Sequence, residues 1–133
     1  MDTGVLVSAF AFGGIPEKAV KKAFAEYRVI VSPQLLTEYR STPLALKTAG
    51  KITSAQFKAL VAGIAAFVAQ AHVVIPSRNI RICRDPNDDM LIECCVEAKA
   101  TVLLSGDKDL LSLLDPFPGL KIMRPKEFVE QPA

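Results

Sequence analysis

Four short apolar runs, at 29–31, 73–75, 101–104 and 120–123, alternate with longer stretches of helical periodicity. Runs this short and this continuously apolar suit strands covered on both faces. Helical spacers between them predict parallel pairing, because parallel strands need crossover connections. Right-handed crossovers place the C-terminal ends of all strands on one edge, where ligand sites of such sheets lie. The spacers carry their own start signals. Pro16 opens a helix over 16–27, and Ser32 followed by Pro33 opens one over 33–42. Thr53 and Gln56 stand at capping-box spacing ahead of a helix over 53–70, whose apolar face is Phe57, Leu60, Val61, Ile64, Phe67 and Val68. Further helices are predicted over 88–99, 107–114 and 125–129, with 131–133 as a frayed tail.

The chain has 133 residues, which suits a single domain over 1–130 with enough apolar content for a real core. No apolar run reaches bilayer length, and no leader pattern opens the chain, so the expected location is the cytoplasm. Three cysteines without a framework read as reduced, buried thiols. Zinc is disfavoured, since His72 is the lone histidine and no Cys-x-x-Cys pair exists.

The net charge of +2 hides an asymmetry. Residues 1–84 carry eleven Lys and Arg against four Asp and Glu, whereas residues 85–133 carry five against ten. Acids gather where strands should end or helices begin: Asp2, Glu38, Asp89, Asp107 and Asp109. Glu93 follows Asp89 by one helical turn. Capping accounts for one aspartate in Asp85-Pro86-Asn87-Asp88-Asp89 and one in Ser105-Gly106-Asp107-Lys108-Asp109, but leaves the others unexplained. Clustered carboxylates repel and lose hydration unless a cation is shared among them. A hard ion with oxygen ligands, Mg²⁺ or Mn²⁺, fits such a set. Phosphodiester hydrolysis is the chemistry such ions serve. Arg40, Arg84 and Lys108 adjoin the acidic segments and are candidates for holding flanking phosphates.

The order of four segments resembles the PIN-domain family, in particular the bacterial and archaeal toxin components of toxin–antitoxin pairs. The segments are Asp2-Thr3-Gly4-Val5, Ser32 to Glu38, Cys83 to Glu93 and Leu103 to Leu111. The resemblance runs from Met1 to about Phe128. It implies a three-layer α/β sandwich with a parallel sheet of order 3-2-1-4-5 flanked by helices. It also implies metal-dependent endonuclease cleavage of single-stranded RNA, an antitoxin partner and a homodimer. By the same resemblance Asp2, Glu38, Asp89 and Asp107 are the catalytic metal ligands, Asp109 joins them, and Ser105 and Glu93 support them. The assignment requires Glu38 and Asp89 to face one pocket.

Two departures stand out. Gly4 occupies a position where the family usually has Asn, whose side chain could orient the first acid. The family also has a strand before the first Asp, whereas only Met1 precedes Asp2. The expectation is therefore a truncated first strand, or another segment or chain in its place. Two rival classes remain: a decayed PIN domain that binds RNA or protein without cleaving, and a phosphoryl-transfer or dehalogenase-like enzyme with an Asp nucleophile. The second wants an Asp-x-Asp after the first strand, and position 4 is Gly.

Overall fold

A computed structural model describes residues 1–113 and 117–132. Helix α1 (Thr3–Val7) runs into a π-helical turn (Ser8–Phe12), followed by α2 (Ile15–Glu26), β1 (Ile30–Val31) and α3 (Pro33–Thr48). Then come α4 (Ser54–Gln70), β2 (His72–Val73), α5 (Pro86–Ala98), β3 (Val102–Leu104), α6 (Lys108–Leu111), β4 (Lys121–Met123) and α7 (Pro125–Glu130). The expected helical extension to Leu114 and the tail residue Ala133 lie outside the described residues. No helix among the described residues is long and apolar enough to cross a membrane.

Local chemistry explains most of the boundaries. Ser32 Oγ accepts the Leu35 N–H at 3.3 Å, and Thr53 and Gln56 exchange both bonds of a capping box. Helix α3 passes through Pro43 and continues to Thr48, beyond the expected end at Thr42. Proline forfeits one backbone hydrogen bond there. Pro43 is buried, and tertiary packing of α3 on α4 carries the helix through. Helix α5 begins at Pro86 rather than Asp88, because Asp85 caps it by accepting the Asn87 N–H at 2.9 Å. At Gly63 an added Cβ would lie 2.2 Å from Phe10 Cγ, so only glycine lets the π-helical turn sit on α4.

All strand pairs are parallel, as the alternation of elements predicts. Ile30 pairs with His72 and Val31 with Val73, and Val102–Leu104 pair with Lys121–Met123. The strands form two separate two-stranded sheets, β1–β2 and β3–β4. This departs from the expected single sheet: between β1 and β3 lie Met1, at the lining of a cavity, and the Asp2 N–H on the Leu104 carbonyl. β2 differs too, since Val73 is 55% exposed and Ile75 lies outside the strand at 69%.

Between the unpaired edges of β1 and β3 lies a cavity of about 250 Å³. Val29 and Ile30 line one wall, Val102 and Leu103 the other, and Leu91 and Cys94 of α5 are part of the lining. Met1 borders it as well. The Asp2 N–H donates to the Leu104 carbonyl at 3.0 Å, and the Tyr39 hydroxyl donates to the Met1 carbonyl. These bonds bring the chain start to the C-terminal end of β3, where an acidic side chain at position 2 meets the loop after that strand.

Candidate active site

Asp2 is the N-cap of α1, its Oδ1 facing the Gly4 N–H at 3.5 Å. Its other oxygen accepts the Ser105 hydroxyl at 2.7 Å. Ser105 is fully buried at the end of β3, and its Oγ accepts the Asp107 N–H at 3.0 Å. Asp107 caps α6 by accepting the Asp109 N–H at 2.9 Å. One hydroxyl thus locks Asp2 and the Asp107 backbone, 105 positions apart in sequence, into a single network. Gly4 contributes no side chain, and a Cβ there would meet nothing within 4 Å.

Glu38 is half-buried on α3, one residue before the buried Tyr39. Burial raises its pKa, as do the charges of Asp2 and Asp85, while Thr3 lowers it. Thr3 Oγ1 is buried without a well-aligned hydrogen bond, yet lies near enough to Glu38 to exert that effect.

The two neighbouring aspartates on α5 sit in different surroundings. Asp89 Oδ1 accepts the N–H groups of Ile82 and Cys83 at 3.0 and 2.8 Å. Burial acts to raise its pKa, but those N–H groups, the Cys83 thiol and Arg81 bring it below the ordinary carboxylate value. Asp88 is the residue that shares a field with the other acids. Burial, then Asp107, Asp85, Asp2 and Asp109, push its pKa up to about 6. From α5 it is Asp88 that lies within the field of Asp2 and Asp107. Asp89 is turned toward the loop at 77–84, and so is Glu93, which accepts the Ile80 N–H at 2.8 Å. Among the described residues no strand pairs with that loop, and the carboxylates of α5 accept from its N–H groups instead. The clue in the sequence was an acidic stripe, Asp89, Glu93 and Glu97, repeating every four residues.

Asp109 and Lys108 are exposed on α6, and Arg84 is exposed one residue before Asp85. Arg40 instead borders the groove between α3 and α4, with Val61 and Ile64. Phe10 packs on Gly63 and Tyr39 is buried, while Phe12 is exposed. The thiols of Cys83 and Cys95 are both pushed up to about 12, foremost by burial, which leaves neither as a thiolate nucleophile.

Asp2 and Asp85 thus act on both Glu38 and Asp88, and Asp107 acts on Asp88 as well. Among the described residues, no three acidic, His or Cys side chains are drawn together tightly enough to hold an ion as they stand. The donor set is all oxygen, which suits Mg²⁺ or Mn²⁺; Mg²⁺ retains several waters and needs few direct carboxylates.

The family model described as PIN domain matches residues 1–109. The chain belongs to the PIN-domain family. Its fold is accordingly α/β and of the nuclease type, a family that generally uses divalent metals. A relative in Methanocaldococcus jannaschii, described as the uncharacterized protein MJ1680, is 33% identical over 140 aligned positions, covering 98% of this chain and 88% of that protein. No solved structure matches the chain significantly.

The raised Asp88 pKa has a consequence for this PIN domain. The folded form holds that proton more tightly than the unfolded chain, so the contribution is stabilising below the ordinary value of 3.8 and is lost as pH rises through about 6. In EDTA, the melting temperature of Asp88→Asn is expected to gain on that of the native protein from about pH 4 upward, with a plateau above about pH 6.5. A constant difference across that range would show that Asp88 is not under repulsion.

Proposed function

We propose that this chain is a divalent-metal-dependent endoribonuclease that hydrolyses phosphodiester bonds of single-stranded RNA, the toxin half of a toxin–antitoxin pair. The observation carrying this reading is the convergence of Asp2 and the Asp107 loop on Ser105, at 2.7 and 3.0 Å, with the buried Asp88 close enough for burial and the charges of Asp107, Asp85 and Asp2 to raise its pKa. Acids supplied by three separate parts of the chain are held in mutual repulsion that a cation would relieve. Asp2, Glu38, Asp88 and Asp107 would hold Mg²⁺ or Mn²⁺, with Asp109 at the margin; Asp88 replaces Asp89 in this role. The ion supplies Lewis acidity and a nucleophilic water at neutral pH. The protein's own contribution is positional. Ser105 orients Asp2 by donating its hydroxyl proton, and the Asp109 N–H orients Asp107. Arg84 and Lys108 flank the acids and would engage substrate phosphates. Asp89 and Glu93 support the site indirectly, by fixing the loop beside it.

The sheet in this reading has the order β2–β1–slot–β3–β4, so that a strand in the slot yields the family order 3-2-1-4-5. An antitoxin would cover the acidic cleft, and α4 with its exposed alanines offers a face for a homodimer. The second reading, an RNA-binding module without cleavage, draws on Gly4, which leaves Asp2 without a side-chain partner at that position.

The deciding assay is cleavage of a labelled single-stranded RNA with Mn²⁺ or Mg²⁺. Metal-dependent cutting that EDTA abolishes is expected. Retention of RNA without cutting in either metal would replace the nuclease with the binding module.

A further inference from the structure

The loop at 77–84, Ser-Arg-Asn-Ile-Arg-Ile-Cys-Arg, contains three arginines and no acid. Its backbone is fastened to α5 by three carboxylates one helical turn apart. Glu97 accepts the Ser77 N–H and hydroxyl, both at 2.8 Å, Glu93 accepts the Ile80 N–H, and Asp89 accepts those of Ile82 and Cys83. Ile80 is buried, while Arg78, Arg81 and Arg84 are all exposed. The carboxylates behind the loop are thus engaged by backbone N–H groups. Among the described residues, the one ion pair is Lys21 with Glu17, elsewhere on the surface. Arg78 lies over the Phe117 ring, its guanidinium carbon 5.6 Å from the centroid. From 78 to 84 the chain can span at most about 20 Å, the scale of a few nucleotides of single strand. The last arginine immediately precedes Asp85, whose charge acts on both Glu38 and Asp88.

We infer that the loop at 77–84 is a phosphate rail: Arg78, Arg81 and Arg84 bind successive phosphates of a single-stranded nucleic acid and lead it into the acidic cluster, with Asp89, Glu93 and Glu97 as positioning residues beneath. The inference rests on the nuclease reading for what lies at the end of the rail, but binding can be measured without chemistry. Arginines spaced along a pinned backbone contact phosphates without reading bases, so affinity should be insensitive to sequence and strongly dependent on salt.

The test combines two assays on the intact protein and on the triple variant Arg78→Ala, Arg81→Ala, Arg84→Ala. The first is anisotropy of a fluorescent single-stranded RNA in EDTA across a salt series. Each phosphate contact on a single strand contributes about 0.7 to the log–log salt slope, so the variant's slope should be shallower by about 2. A triple Arg→Lys variant, which keeps the charges, should retain most of the slope. The second assay is Mn²⁺-dependent cleavage, where KM should rise roughly tenfold with kcat nearly unchanged. An unaltered slope in the alanine variant, or no RNA binding by the native protein, overturns the rail. Salt-dependent binding lost in that variant, beside a native protein that never cuts, keeps the rail and removes the nuclease.

Discussion

Asp88→Asn is expected to lower Mn²⁺-dependent RNA cleavage by two to three orders of magnitude, equivalent to roughly 3–4 kcal/mol of transition-state stabilisation. The native fold should be retained, because the substitution removes one of several like charges held within reach of Asp2, Asp85 and Asp107. Asp89→Asn should behave in the opposite manner. Its carboxylate is the charged acceptor for two loop N–H groups. The amide keeps an acceptor oxygen but loses the charge assistance, at a cost of about 1–2 kcal/mol in stability, with metal binding retained. Neighbouring aspartates thus separate into one whose loss removes activity and one whose loss loosens a loop. Activity and melting temperature measured on both variants check this; a reversed pattern would return the metal-site role to Asp89.

The second large effect concerns the slot between β1 and β3. Fusing an apolar, β-branched segment such as Val-Val-Ile-Leu ahead of Met1 should raise the melting temperature. The segment can continue the rung already formed by the Asp2 N–H on Leu104 and pair with both free edges. Burying four apolar side chains gains several kcal/mol, and ordering four residues offsets much of that, for a net of about 2–4 kcal/mol. That corresponds to a rise of roughly 5–15 °C for a domain of this size. A Gly-Ser-Gly-Ser fusion serves as control. Equal melting of the two fusions would show that the slot does not take a strand.

Much of this architecture was legible beforehand because its signals are local. Ser32, Thr53 and Gln56 satisfy helix N–H groups through their own side chains, and they cap where expected. The four apolar runs yielded four strands, short and parallel. Asp2 and Asp107 also met, through Ser105, because each follows directly on the end of β3 or its neighbouring slot. What sequence could not resolve was rotational phase. Asp88 and Asp89 are both first-turn acids, about 100° apart on a helix, and which one turns toward Asp2 and Asp107 is set by how the helix packs. Asp85 sets the start of α5 at Pro86, two residues earlier than periodicity suggested. The loop at 77–84 compounded the ambiguity, since its need for acceptors is a tertiary demand that no local pattern announces. The covered-strand expectation failed at Val73 and Ile75 for a similar reason: an apolar run does not reveal whether a neighbour exists to cover it.

The central claim is that carboxylates from α1, α3, α5 and the β3–α6 loop share a divalent ion. The most direct measurement is a Mn²⁺ titration followed by electron paramagnetic resonance on the native protein, Asp88→Asn and Asp89→Asn. Saturable binding to the native protein and to Asp89→Asn, lost in Asp88→Asn, is the predicted result. Identical isotherms for all three proteins, or no saturable site in the native one, would contradict it.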